Sequence, residues 1–350
     1  MTKVKLTING RAVEAAPGTT VLRAALAAGI IIPTLCYLGD LTPEGACRLC
    51  VVEIEGVRGL PAACVYPISE GMKVRTSSPA IIAARRMVLE FLLANHQQDC
   101  LSCQRNLHCD LQRLAAEYGV RQGRFEGAVR EGSFDESNPF IKRDTAKCVL
   151  CGRCVRVCQE IQGCHVLEWT GRGFDSAVTP AFDLPMEEGG CVFCGTCVSS
   201  CPVGALTERA QQSVGLPDRK VKTTCPYCGV GCNFDLNVKD EQVVGMTSNL
   251  TSVVNGRLSC VKGRFGLDYI HSSLRLTQPL VRRDGVLREA SWEEALDYAA
   301  AGFQAVLAEH GPDAFSALSS ARCTNEENYL MQKFVRAAVG TNNIDHCART

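Results

Sequence analysis

The chain has 350 residues, 46% hydrophobic and 21% charged, a globular composition rather than a disordered one. Lys plus Arg and Asp plus Glu are 37 each, and a net charge of zero argues against nucleic acid or an anionic membrane surface as partner. The opening MTKVKLTINGR lacks signal-peptide layout and a twin-arginine leader, and Arg23 and Pro33 interrupt the longest apolar stretch, so a cytoplasmic chain without a membrane span is expected.

Residues 3–15 read as a β-hairpin: Val4, Leu6 and Ile8 alternate, Asn9-Gly10 turns, and Arg11 to Ala15 returns. A helix follows from Val21 to Ala28. Ser78 and Pro79 open another as N-cap and first turn, with Ile81, Ala84, Val88, Phe91 and Leu92 as the expected apolar face, ending near Asn95. Residues 121–140 are Gly- and charge-rich without an apolar period, and read as a linker or surface excursion. An internal repeat comes next, CVLCGRCVRVC from Cys148 and CVFCGTCVSSC from Cys191. A connector around 209–220 leads to CPYCGVGC at Cys225. After Cys260 the pattern becomes helix, strand, helix. SWEEALDYAAAGFQAVLAEHG has Ser291 and Glu294 as a capping box and Gly311-Pro312 as its stop. DAFSALSSA reads as a strand and turn, and NEENYLMQKFVRAAVG as a second helix, the start of an α/β domain.

The chain carries 22 cysteines. Its length and the missing signal sequence do not fit a secreted disulfide scaffold, and clustered cysteines in a reducing compartment bind metal. The repeat is the strongest signal. Three cysteines at C-x2-C-x2-C wrap a cubane, and the fourth cysteine of each run ligates the other cluster. This predicts one [4Fe–4S] on Cys148, Cys151, Cys154 and Cys201, and another on Cys191, Cys194, Cys197 and Cys158. Gly152 and Gly195 let the backbone turn toward sulfide. Pro202 follows Cys201 as the motif requires, whereas Gln159 follows Cys158. A pair of zinc knuckles is the alternative, but zinc takes four ligands in two pairs rather than two runs of four.

Cys36, Cys47, Cys50 and Cys64 form C-x10-C-x2-C-x13-C, close to a plant-type [2Fe–2S] pattern but different in its first gap; a zinc ribbon shares the C-x2-C pair. His96, Cys100, Cys103 and Cys109 suit either a histidine-ligated [4Fe–4S] or zinc. A neutral histidine ligand would raise the cluster's potential relative to thiolate. Cys225, Cys228, Cys232 and Cys260 form a fourth four-thiolate set, with Gly229 and Gly231 in its loop. Lys262 follows two residues later, where a solvated surface lysine is the plain alternative. Cys164, Cys323 and Cys347 are left over as small buried residues, and His108, His165, His271, His310 and His346 have no partner spacing.

The expected fold is an α+β multidomain iron–sulfur protein. A β-grasp [2Fe–2S] domain covers 1–78, a helical histidine-ligated segment 79–120, a two-cluster ferredoxin domain 138–210, a small [4Fe–4S] domain 218–272 and the start of an α/β domain 273–350. The first three sites in this order resemble the electron-input half of iron-only hydrogenases and cytoplasmic NAD-dependent formate dehydrogenases, and the first two the large peripheral subunit of respiratory complex I. CPYCGVGC, SCVKG, RLTQPLVRRDG and SWEEAL then resemble the opening of molybdopterin oxidoreductases. NEENYLMQKFVRAAVGTNNIDHCART is similar to formate dehydrogenase alpha subunits.

That resemblance implies formate oxidation to CO2 or its reverse at a molybdenum or tungsten bis-(molybdopterin guanine dinucleotide). Electrons would pass through one [2Fe–2S] and four [4Fe–4S] clusters to flavin- and NAD-binding diaphorase-type subunits. It implies Lys262 as a relay between cluster and pterin, and Arg322, Asn325 and Glu326 as pterin contacts. In the family pattern the metal-binding Cys or selenocysteine comes directly after the segment matching Asp345 to Thr350, so no catalytic residue is expected within the chain. Cys347 matches a different cysteine, four places earlier. A reading frame ended at a UGA selenocysteine codon is the expectation this raises. A non-catalytic multi-cluster electron carrier, or another molybdopterin oxidoreductase such as a nitrate reductase, are the alternatives.

Overall fold

The computed structural model describes residues 3–121, 123–125, 127–209 and 216–347. The chain divides into two compact units, Met1–Asp218 and Arg219–Thr350.

The first unit opens with the expected hairpin, β1 (Val4–Ile8) against β2 (Arg11–Ala15). Asn9 and Gly10 both take positive φ, 52° and 79°, as a two-residue hairpin turn of matching twist demands. β3 (Glu53–Ile54) and β4 (Lys73–Arg75) complete a sheet of order β2-β1-β4-β3, with β1 parallel to β4. Helix α1 (Val21–Ala27), capped by Thr20, buries Val21, Leu22, Ala24 and Ala25. These residues join Leu6, Ile8, Val13, Val52 and Val74 in one core that also takes in Cys50 and Cys64. Each fully buried Leu, Ile or Val there contributes about 1.5–3 kcal/mol.

Helix α2 (Pro79–Ala94) begins where expected, with Ser78 Oγ accepting from Ile81 N at 3.2 Å. Its buried face matches the expected one only in part: Ile81 is buried and Ala84, Val88 and Leu92 are half-buried. Ile81, Arg85, Leu89, Glu90 and Leu93 are buried, while Phe91 is exposed and stacks on Phe125 at 4.2 Å. The helix is turned by Arg85, whose guanidinium donates to Leu49 O and Val51 O, each at 2.9 Å, and to Tyr118 Oη at 2.9 Å. Binary patterning assigns a charged residue to solvent and misses a buried arginine with three acceptors.

Helix α3 (Asp110–Glu117) starts directly after Cys109. Of the expected 121–140 excursion, residues 122 and 126 lie outside the described residues; the described ones are largely irregular, but β5 (Phe134–Asp135) lies among them and pairs with β6 (Ile141–Asp144). The repeat supplies α4 (Arg153–Arg156), which continues into a π-helical turn Val157–Ile161. It also supplies α5 (Thr196–Ser200). Between them run β7 (Glu168–Thr170) and β8 (Ala177–Thr179), an antiparallel pair. β9 (Leu206–Glu208) closes the β5-β6-β9 sheet. Part of the expected 209–220 connector, residues 210–215, lies outside the described residues.

The second unit begins with an antiparallel sheet of β10 (Arg219–Thr224), β11 (Asn233–Lys239) and β12 (Gln242–Ser248). Phe234, Met246 and Cys225 form its small core. Helix α6 (Val261–Phe265) follows Cys260, then the hairpin β13 (Leu280–Arg283) and β14 (Val286–Glu289). Helix α7 (Trp292–His310) is capped by Ser291 Oγ on Glu294 N at 3.1 Å and stopped at Gly311, φ 76°. The expected reciprocal half of that capping box is not made, because the Glu294 carboxylate pairs with Arg283. The full box is at Thr324 and Glu327, opening α8 (Asn325–Lys333). That helix passes into a π-helical turn Phe334–Val339, which the apolar pattern alone does not separate from it. β15 (Ala317–Ser320) and β16 (Ile344–Cys347) flank α8 and pair in parallel, the strand–helix–strand unit of an α/β domain. No residue of α7 is buried, and Trp292, Leu296 and Tyr298 are exposed.

Candidate metal centres

Cys36, Cys47 and Cys50 precede β3 and Cys64 follows it, and three of the four are buried. Cys47 N donates to Cys36 Sγ at 3.5 Å. A hydrogen bond shared with Cys36 pulls the Cys47 thiol down to about 6 and pushes Cys36 up. Cys64 and Cys50 form the same kind of pair, Cys64 raised and Cys50 lowered. All four thiols therefore lie in one group, with Arg85 gripping the carbonyls on either side of Cys50.

His96 lies just past the end of α2. Its Nδ1 is 3.0 Å from Lys147 O. A carbonyl only accepts, so Nδ1 holds the proton and Nε2 keeps a lone pair for a metal. Burial lowers the His96 pKa, which favours that neutral form. His96, Cys100 and Cys109 line a single cavity of about 890 Å³, mouth included. Cys103 reaches toward the ferredoxin segment, where a Cβ added at Gly204 would sit 2.6 Å from its sulfur. Burial, with the Cys103 thiol adding to it, raises Cys109.

The two repeat runs fold alike. Gly152 and Gly195, φ 66° and 68°, cap α4 and α5. Leu150 and Phe193 also take positive φ, and their amides donate to Cys148 Sγ and Cys191 Sγ, both at 3.4 Å. Side-chain-bearing residues rarely adopt that conformation, so sulfur acceptors at both places support it. Cys151 is pushed up to about 12 by burial and then by the neighbouring Cys201 and Cys148 thiols. Cys197 is raised by burial and then by Cys194, Cys191 and Cys158. Cys158 thus lies with the second run and Cys201 with the first. One small pocket is lined by Cys148, Cys151, Cys154 and Cys201, with Leu167, Val178 and Leu206 among its apolar walls.

In the second unit, CPYCGVGC is the turn between β10 and β11, closed by Cys225 N donating to Cys232 O at 2.8 Å. Cys260 is the N-cap of α6, its sulfur accepting from Gly263 N at 3.5 Å. Burial raises Cys232, and Cys225, Cys228 and Cys260 add to the rise, so this group too is together. Lys262 is exposed on α6. Asn325 Nδ2 donates to Gly229 O at 2.8 Å, bringing α8 to the cysteine loop; Arg322 and Glu326 are exposed. None of the leftover thiols is buried as expected: Cys164 and Cys323 are half-buried, and Cys347, on the two-stranded sheet of β15 and β16, is exposed, 3.1 Å from Ser320 Oγ. Arg349 and Thr350 lie outside the described residues.

These donor sets fit iron–sulfur clusters. Thiols bind iron as thiolates, so loading each set displaces their remaining protons. Thr196 and Ser200, beside Cys197 and Cys201, bury hydroxyls that have no hydrogen-bond partner, donors an anionic cluster can use. Among the described residues no three Cys, His, Asp or Glu side chains close around a point as one ion would require. A cluster asks instead for one thiolate per iron.

Comparison with known proteins defines the class first, an iron–sulfur electron-transfer protein. Residues 1–79 match the 2Fe-2S iron-sulfur cluster binding domain. Residues 85–124 match the NADH-ubiquinone oxidoreductase-G iron-sulfur binding region, and 138–207 the ferredoxin-like domain of NADH-quinone oxidoreductase subunit 3. Residues 218–272 match the molybdopterin oxidoreductase Fe4S4 domain and 275–350 the molybdopterin oxidoreductase family. The chain thus combines domains matched by the NADH-quinone oxidoreductase G-type and the molybdopterin oxidoreductase family models.

It is 38% identical to NADPH-Fe(3+) oxidoreductase subunit alpha of Geobacter sulfurreducens, over 99% of this chain and 40% of that protein. It is 39% identical to a G-type NADH-quinone oxidoreductase subunit of Rhizobium meliloti, with the same coverage. A Staphylococcus aureus protein named "Putative formate dehydrogenase" is 32% identical over 98% of this chain and 39% of its own length. A chain in a crystal structure of NAD+-reducing [NiFe]-hydrogenase aligns at TM-score 0.55 and 34% identity, over 59% of this chain and 88% of that one. The chain spans about 40% of the length of the curated relatives it matches. No helix among the described residues is long and apolar enough to cross a membrane.

Proposed function

We propose that the chain is the electron-carrying part of a formate dehydrogenase, with one [2Fe–2S] and four [4Fe–4S] clusters on the nineteen cysteines and one histidine named above. The observation that carries the electron-transfer part of this reading is the crossed grouping of the repeat, with Cys201 lining one pocket with Cys148, Cys151 and Cys154, and Cys158 beside the second run. A molybdenum or tungsten bis-pterin, bound by the whole protein, would supply the hydride and electron chemistry of formate oxidation. The residues of this chain then do three things. Lys262 would present a positive charge two residues past Cys260, on the route from that centre. Asn325 ties the cysteine loop to the α/β unit, and Arg322 and Glu326 stand exposed nearby in sequence for the pterin. The sites of Cys225, of the ferredoxin pair, of His96 and of Cys36 carry electrons onward to a flavin- and NAD-binding partner.

The exposed apolar residues of α7 support further protein packing over this unit. Relatives named for NADPH, NADH and NAD+ support the nicotinamide side of the reading, and the one named for formate supports the other. The test is anaerobic addition of formate to the complete oxidised enzyme. Bleaching of the cluster absorbance is expected. Reduction by NADH but not by formate would overturn the formate assignment.

A further inference from the structure

Arg156 lies in the first cysteine run, between Cys154 and Cys158, and is 3% exposed. Its guanidinium donates to Cys36 O at 2.6 Å, Thr42 O at 2.7 Å and Cys151 O at 3.2 Å. Cys36 and Cys151 are 115 positions apart in number and belong to different cysteine sets, yet one planar fork holds both backbones. The neighbouring elements reinforce the join. Arg153 donates to Tyr37 O at 3.3 Å and Asp110 Oδ2 at 3.1 Å, and Glu160 accepts from Thr42 N at 2.8 Å. The counter-charge of Arg156 is Glu44, 3.3 Å from Nε, whose carboxylate is 37% exposed and shared with solvent.

We propose that Arg156 is a positioning residue common to two cluster sites: it holds the Cys36 and Cys151 loops together and supplies one buried positive charge to both, so one side chain helps set both reduction potentials. This rests on reading Cys36 and Cys151 as ligands. All three hydrogen-bond acceptors of Arg156 are neutral carbonyls, and Glu44 is an ion-pair partner to which Nε makes no hydrogen bond, so part of the guanidinium charge is left to act on its surroundings. A thiolate-bound cluster gains negative charge on reduction, and a cation held in low dielectric stabilises that state more than the oxidised one. Removing the cation therefore lowers the potential, and removing Glu44 raises it. Lysine keeps the charge but not the fork.

The test is an EPR-monitored redox titration of the complete holoenzyme, with the Cys151-dependent [4Fe–4S] signal identified by its loss in Cys151→Ser. Arg156→Gln should lower the reduced-to-oxidised ratio of both the [2Fe–2S] site and that [4Fe–4S] site roughly tenfold at fixed poise, about 59 mV for one electron. Arg156→Lys should restore most of the shift. Glu44→Gln, a change at a solvent-reaching side chain, should move both signals the opposite way and leave the other three in place. Unmoved potentials in variants that retain their clusters, or a shift at one site alone, would overturn the proposal. If Arg156→Gln fails to load, the direction of the Glu44→Gln shifts decides. Parental signals in Cys36→Ser and Cys151→Ser would overturn the ligand assignment, and the proposal with it.

Discussion

His96 and Lys147 are 51 residues apart in sequence, and the imidazole Nδ1 of one lies 3.0 Å from the carbonyl oxygen of the other. Lys147 directly precedes Cys148, and its ammonium is fixed by Asp99 at 2.8 Å and Asp144 at 3.2 Å. One short stretch of backbone thus orients the histidine among the assigned donors and leads into the first ferredoxin run.

If Nε2 of His96 is an iron ligand, His96→Cys replaces a neutral donor with an anionic one. The cluster should still assemble, and its potential should fall by on the order of 100 mV. Potentiometric EPR checks this, and an unchanged set of five signals would remove His96 from the ligand list.

The crossed grouping makes a pairwise prediction. The spectrum of Cys201→Ser should match that of Cys151→Ser, and that of Cys158→Ser should match Cys194→Ser. A match of Cys201→Ser to Cys194→Ser instead would mean that each run holds its own cluster.

Arg85→Ala leaves two buried carbonyls and the Tyr118 hydroxyl without their donor. Losing charge-assisted hydrogen bonds at a buried site costs about 3 kcal/mol or more. The first unit should unfold at lower urea, and the [2Fe–2S] content should fall before that of the other clusters. Equilibrium unfolding with iron analysis measures both.

A Cβ at Gly229 would crowd Asn325 Oδ1. Gly229→Ala should therefore destabilise the Cys225 site, and Asn325→Ala in the same chain should recover part of the loss by making room. The double-mutant cycle should give a coupling of about 1 kcal/mol or more in cluster retention under chelator.

Stripping the iron would remove the bonds that tie Cys148, Cys151, Cys154 and Cys201 together around one pocket. Hydrogen exchange across 148–206 should rise sharply on chelation, while the Leu6 and Ile8 sheet should stay protected.

The cysteine spacing carried most of the site in advance, because short loops around a metal centre leave little freedom in sequence. The hairpin turn at Asn9-Gly10 and the caps at Ser78 and Ser291 were equally legible, each being a local rule. What was not legible depends on distant partners. The rotation of α2 comes from Arg85 reaching carbonyls in the 49–51 loop. The Glu294 carboxylate turns to Arg283 instead of its own helix end. Leu150 and Phe193 in left-handed backbone had no composition signal, although their matching positions in the repeat could have flagged them. Arg156 reads as one more charge in a basic run until the 36–44 loop is seen against it.

The central claim is that these donors hold clusters rather than single ions. Iron and acid-labile sulfide should be counted on the purified protein after anaerobic reconstitution, with zinc measured beside them. About 18 iron and 18 sulfide per chain is the predicted result for one [2Fe–2S] and four [4Fe–4S]. A few zinc ions per chain with no labile sulfide would contradict the account.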